Sequence, residues 1–268
     1  MSDNPTSTAP DAGQGAARDP FDLTGRVAIV TGGSRGIGLA IAKGFAARGA
    51  KVVVASRKAD SCDAAVKDIE ATGGEALAVA THMGELDALQ NLVDRTVERF
   101  GGIDIVVNNA ANPLTLPIGQ YTPEAWEKSF HVNLRGPVFL TQYALPHLRR
   151  STVGASVINV ISAGVFLRSE PTSLYASAKS GLLAFTRSAA GALAPENIRV
   201  NALAPGTVDT DMVRNNTPEV VASMAKSSPM GRMAAPEEMV GPALLLASDA
   251  GSYITGQVIS PDGGLTVH

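Results

Sequence analysis

Val27-Ala28-Ile29-Val30-Thr31-Gly32-Gly33-Ser34-Arg35-Gly36-Ile37-Gly38 is the stretch that decides the fold. A short apolar run is followed at once by a turn with four glycines, and then by Leu39, Ile41, Ala42 and Phe45 at helical spacing. The order reads as strand, tight turn, helix. A glycine-rich turn entering a helix lets main-chain N–H groups approach a pyrophosphate, whose charge the helix dipole favours. Gly32, Gly36 and Gly38 are therefore candidate cofactor contacts. A strand-to-helix turn with no ligand is the plainer alternative.

Outward from this turn, short apolar runs alternate with helical patterns to the end of the chain. Val27–Val30, Val52–Ala55, Ala76–Ala80, Ile103–Val107, Ser156–Ile161, Arg199–Leu203 and Val258–Ser260 predict seven strands. Ile37–Arg48, Asp60–Ala71, Leu86–Phe100, Pro123–Arg149, Leu174–Ala194 and Pro236–Ala247 are long enough to be the crossovers that parallel strands require. The expected fold class is α/β: a Rossmann-type, doubly wound parallel sheet with helices on both faces, in one domain over residues 21–268. Residues 1–20, rich in Ala, Asp, Gly, Ser, Thr and Pro without hydrophobic period, are expected to form a disordered tail.

Composition narrows the function. The chain has 268 residues, 45% of them hydrophobic, with a net charge of -3, and no cluster of Lys or Arg dense enough to follow a phosphate backbone. Nucleic acid is not an expected partner. Cys62 is the one cysteine and the four histidines lack metal-ligand spacing, so neither a disulfide nor a metal is expected. No apolar run approaches the ~18 residues of a membrane span, and the first 20 residues lack a signal-peptide core. A cytoplasmic protein acting on a small molecule is the expectation.

The second strand ends Val54-Ala55-Ser56-Arg57-Lys58. A site for NAD(H) usually places a carboxylate here, where it binds the ribose hydroxyls and repels a 2′-phosphate. No acid is present, Ser56 leaves room, and Arg57 and Arg35 can pair with a phosphate. The cofactor expected is NADP(H) ahead of NAD(H).

Tyr175 and Lys179 lie four apart in a helical stretch and share one face. A nearby ammonium is expected to stabilise a phenolate and bring a tyrosine toward a working base. Such pairs also occur on wet helix faces with no role. Ser162, just past the fifth strand, strengthens the case, since its hydroxyl can return beside Tyr175 to hold a substrate oxygen.

Together these motifs resemble the short-chain dehydrogenase/reductase family. Thr31-Gly32-x-x-x-Gly36-x-Gly38 is similar to its glycine signature, and by that resemblance Ser34, Arg35 and Ile37 line the cofactor. The resemblance implies a catalytic tetrad of Asn133, Ser162, Tyr175 and Lys179, with Asn133 positioning a water that connects the lysine to solvent. Asn108-Asn109-Ala110-Ala111 resembles the family's Asn-Asn-Ala-Gly element and puts Asn109 and Ala110 at the cofactor. Pro205-Gly206-Thr207-Val208-Asp209-Thr210 resembles its Pro-Gly turn, implying that Pro205, Gly206, Val208 and Thr210 meet the nicotinamide side; Thr210 is equally readable as a helix N-cap. Thr81-His82-Met83-Gly84 departs from the usual Asp-Val pair against the adenine.

Residues 211–232 occupy the position of the family's substrate lid, and Met212, Met224 and Met230 suit either an apolar pocket or the packing of a short helix pair. The resemblance is closest to carbonyl reductases and 3-oxoacyl-thioester reductases, and it implies a homotetramer built through Pro123–Arg149, Leu174–Ala194 and Tyr253–Val267. The functional expectation is NADP(H)-dependent hydride transfer to or from a carbonyl or secondary alcohol. An NAD-dependent alcohol dehydrogenase and a non-catalytic dinucleotide-binding regulator are the alternatives.

Overall fold

Strands that bury both faces are built mainly from apolar residues, and β1 (Val27–Thr31), β2 (Lys51–Ser56) and β4 (Ile105–Asn108) carry polar residues only at their ends. A computed structural model describes residues 19–168 and 170–266. In it, β3 (Glu75–Ala80), β5 (Ala155–Val160), β6 (Ile198–Leu203) and β7 (Val258–Ile259) complete a seven-stranded sheet in the order β3-β2-β1-β4-β5-β6-β7. Every pairing is parallel.

Because side chains alternate along a strand, each strand feeds two cores. On one face Ala28, Val30, Val52, Val54, Ile105 and Val107 pack against α1 (Gly36–Ala46), α2 (Ala59–Glu70) and, near the end of the chain, α9 (Val240–Ala247). On the other, Ile29, Val53, Val106, Val157 and Val200 pack against α3 (Leu86–Phe100), α5 (Gly136–Leu148) and α6 (Ser173–Leu193). The chain winds outward from β1 to β3, then restarts at β4 on β1's other side. The carboxyl ends of β1 and β4 thus flank the switch point, where such sheets open a crevice for ligand.

Three expectations are corrected. Pro123–Arg149 is not one helix: α4 (Pro123–Phe130) passes through a π-helical turn, His131–Arg135, into α5. Pro137 has no N–H to continue the α ladder, and the Gly136 N–H instead reaches back five residues to the His131 carbonyl. Pro236–Ala247 likewise begins as a 3₁₀ turn, Pro236–Met239, before α9. The final strand covers Val258–Ile259, one residue short of the expected Val258–Ser260.

The lid position holds α7 (Asp211–Arg214) and α8 (Pro218–Lys226), a short helix pair. Residues 1–18 of the expected tail lie outside the described residues. Asp19 and Pro20 are docked: Arg48 Nη1 donates to Asp19 Oδ2 at 2.7 Å and Ala250 N donates to Pro20 O at 2.9 Å. No helix among the described residues is long and apolar enough to cross a membrane.

Candidate active site

The glycine turn is shaped by steric need. Gly32 and Gly36 have φ of +64° and +54°, a region that side chains disfavour. A Cβ on Gly38 would stand 2.2 Å from Gly32 O and 2.4 Å from Asn109 Nδ2, so the turn folds flat against the start of α1 only because Gly38 has none. Arg35, at the N-cap, gives no side-chain hydrogen bond to the first turn of α1, and that turn carries no acid. Its main-chain donors are available to an anion, and the cradle fits a pyrophosphate.

Thr31 and Asn109 bolt this turn to β4. Thr31 Oγ1 accepts from Asn109 N at 3.0 Å and Ala110 N at 3.1 Å, while Asn109 Nδ2 donates to Thr31 O at 2.8 Å. Asn109 and Ala110 thus lie beside the glycines.

At the end of β2, Ser34 Oγ donates to Ser56 Oγ at 2.9 Å, joining the glycine turn to the place where an acid was absent from the sequence. Arg57 is exposed beside it. Arg35 Nη1 lies 3.3 Å from Asp211 Oδ2, both largely in solvent, so the glycine turn also touches the lid's first helix. Thr210 occupies the N-cap position of α7 but does not cap: its hydroxyl donates to Val208 O at 3.3 Å, and its methyl is the nearest atom, 3.1 Å, to a Cβ on Gly36.

The β6 exit is anchored on both sides. Pro205 O accepts from Ala163 N at 2.9 Å, tying this turn to the one after β5, and a Cβ on Gly206 would meet Asp262 Cα at 2.8 Å. Val208 forms a parallel bridge with Ala234. His82 lies in a turn after β3, where its Nδ1 accepts from Gly84 N at 3.1 Å. It lines the turn as a polar ring.

Ser162 caps the 3₁₀ turn Ala163–Phe166 after β5, its Oγ accepting from Gly164 N at 3.1 Å. That occupies an acceptor lone pair and leaves the hydroxyl proton to donate elsewhere. Two residues back along the strand, Val160 O accepts from Lys179 Nζ at 2.6 Å. Lys179 is 1% exposed and its amine stands 5.9 Å from the centre of the Tyr175 ring. The structure therefore gathers Ser162, Tyr175 and Lys179 where β5 meets α6.

Burial sets the protonation of the pair: it pushes the Tyr175 phenol up to about 12 and brings the Lys179 amine down to about 7. The phenol was expected to be lowered by the ammonium. Desolvation by burial is the cause of both shifts and favours the neutral form of each group.

Asn133 is fully buried within the π-helical turn. Both ends of its amide hold Asn112: Nδ2 donates to Asn112 O at 2.9 Å, and Oδ1 accepts from Asn112 N at 3.0 Å. Sequence reasoning missed Asn112, whose part is played by its main chain and leaves no trace in residue type. In the lid, Met212 and Met230 are exposed and α8 buries no residue, while Val213 of α7 is buried.

The chain is similar to known proteins over most of its length. A family model described as enoyl-(acyl carrier protein) reductase matches residues 32–266. The chain is 38% identical over 247 residues to the 3-oxoacyl-[acyl-carrier-protein] reductase of Synechocystis sp., covering 91% of this chain and 98% of that protein. It superposes with a TM-score of 0.88 on a short-chain type dehydrogenase/reductase from Mycobacterium marinum, at 33% identity and covering 93% and 99% of the two chains. A Beutenbergia cavernae protein solved with NADP bound at low occupancy gives a TM-score of 0.86 at 34% identity, with 92% and 99% covered.

Proposed function

The chain belongs to the short-chain dehydrogenase/reductase family of oxidoreductases, and from that premise we propose that it transfers a hydride between NADP(H) and a carbonyl or secondary alcohol. The observation that carries this reading is the buried Lys179, under the face of Tyr175 and hydrogen-bonded to the carbonyl of Val160, which stands two residues before Ser162 along the chain. A lysine is rarely this buried without a task.

A bound nicotinamide supplies or accepts the hydride. The glycine turn, Asn109, Ala110 and the turn from Pro205 to Thr210 hold that cofactor. Ser162 donates its free proton to the substrate oxygen and polarises it. Tyr175, protonated at neutral pH, gives its proton to that oxygen in reduction and recovers it in oxidation. Lys179, with a pKa of about 7, gains or loses a proton at the working pH and restores the phenol. Asn133 keeps the Asn112 backbone in place along the site wall.

Preference for NADP(H) is supported by Ser56, Arg57 and Arg35, which offer a 2′-phosphate room and positive charge and no carboxylate. Exposed Met212 and Met230 in the lid suit an apolar substrate. A cytoplasmic location is supported by a single, buried cysteine, and a homotetramer by the exposed Trp126 and Tyr253 at the segments the family uses for assembly. The test is a panel of ketones and 3-oxoacyl thioesters offered with NADPH and with NADH. NADPH oxidation above background supports the proposal, and tight cofactor binding with no turnover on any member contradicts it.

A further inference from the structure

Behind the site, a polar chain crosses an otherwise apolar interface. Asn159 on β5 accepts from Asn108 Nδ2 on β4 at 2.8 Å, and its own Nδ2 donates to Thr186 Oγ1 on α6 at 2.9 Å. Thr186 in turn donates to Leu182 O at 2.8 Å, one turn back along the same helix. Asn108, Asn159 and Thr186 are each fully buried. Buried amides must be paired, and this one is paired incompletely: Asn108 Oδ1 meets no donor among the described residues. The network is not what burial of apolar surface alone would select here.

Its geometry indicates what it does. Thr186 and Lys179 are seven residues apart, two turns along α6, and so lie on one face of that helix. They reach consecutive residues of β5: Thr186 bonds the Asn159 side chain and Lys179 bonds the Val160 carbonyl. Two bonds at consecutive strand positions fix how far α6 has slid along β5 and how it is rotated. Apolar contacts between Leu182, Leu183 and Ile161 cannot do this, because they are non-directional.

We propose that Asn159 and Thr186 are positioning residues for the reaction, a pin that sets the register of α6 on β5 and thereby places the Lys179 amine and the Tyr175 hydroxyl relative to Ser162. The inference rests on the functional reading above. Neither residue touches the reacting atoms. A slip of about 1 Å in such a pair costs roughly a hundredfold in rate, so a pin several residues away has leverage.

The test uses the full chain and Thr186→Val, which keeps the shape of the side chain and removes its hydroxyl, with Thr186→Ser as the rescue and Thr186→Ala as a second variant. Three quantities are read in each: the NADPH dissociation constant by fluorescence, kcat and KM on acetoacetyl-coenzyme A across pH, and the titration midpoint of Lys179 by carbon-13 NMR of labelled lysine. The expected result for Thr186→Val is a kcat about tenfold lower with KM and NADPH affinity changed less than twofold. The Lys179 midpoint shifts by about half a pH unit or more, and Thr186→Ser restores both values. A lower melting temperature with kcat and the Lys179 midpoint unchanged would overturn the proposal, as would a fall in kcat with an unmoved midpoint. If the parent protein reduces no carbonyl compound, the functional reading falls, and the NMR titration alone then decides whether the pin places Lys179.

Discussion

Lys179 and Val160 are joined across the α6–β5 seam by a 2.6 Å hydrogen bond from the side-chain amine to the main-chain carbonyl. Strand carbonyls in a parallel sheet normally face the neighbouring strand, and Val160 is the last residue of β5. Its oxygen lies where the ladder ends, so a helix side chain can take it. Ser162 follows two residues later, so one strand terminus supplies both the anchor for the amine and the hydroxyl.

Burial of the same amine makes stability depend on pH. Lys179 titrates at about 7 in the folded chain against an ordinary 10.5, so the unfolded chain binds more protons between those values. Stability contributed by this group is full above about pH 10.5 and is lost as pH falls toward 7. The raised phenol of Tyr175 has the opposite sign: its contribution is full below pH 10 and lost as pH rises toward 12. Urea unfolding from pH 7 to 9.5 should show a rising midpoint in the parent, worth several kcal/mol from the lysine. Lys179→Met should flatten that rise.

The glycine turn admits no side chain at Gly38. Gly38→Ala would press a methyl onto Gly32 O and Asn109 Nδ2, the contacts that close the turn on β4. The expected cost is about 1–3 kcal/mol in thermal or urea unfolding, together with a loss of NADPH binding of tenfold or more. Unchanged cofactor affinity in Gly38→Ala would remove the glycine turn from the cofactor site.

Arg57 is the exposed cation at the end of β2. Arg57→Ala should weaken NADPH about tenfold, the scale of one charge-assisted hydrogen bond, and leave NADH within twofold. Titration of both cofactors by fluorescence reads this directly, and equal affinities in the parent would end the NADP(H) assignment.

Asp211 pairs with Arg35 at 3.3 Å, where a cofactor phosphate would draw the same guanidinium. An exposed pair is worth little, so Asp211→Asn should tighten NADPH by only about two- to threefold, with less effect on NADH. Weaker NADPH binding in that variant would mean that Asp211 helps to hold the cofactor and does not compete with it.

Much of this was legible in the chain. All seven strands could be placed within two residues because buried parallel strands are continuous apolar runs, as Val52-Val53-Val54-Ala55 shows. The glycine turn was readable because its glycines answer a local steric demand that spacing records. The division of Pro123–Arg149 was not, since its apolar pattern continues through the π-helical turn and only Gly136-Pro137 marks the change. Asn159 and Thr186 stand 27 residues apart in the chain, and their pairing exists only once α6 lies on β5. The direction of the Tyr175 shift was hidden for a similar reason: the spacing of two residues in sequence puts them on one helix face but does not reveal the burial that sets their protonation.

The most direct test of the whole account is Tyr175→Phe, which removes one oxygen and leaves the ring over Lys179. NADPH affinity should stay within about twofold of the parent, while kcat on a carbonyl compound that the parent reduces should fall by about a thousandfold, within the range for loss of a general acid. A Tyr175→Phe enzyme that turns over at the parental rate would contradict the account.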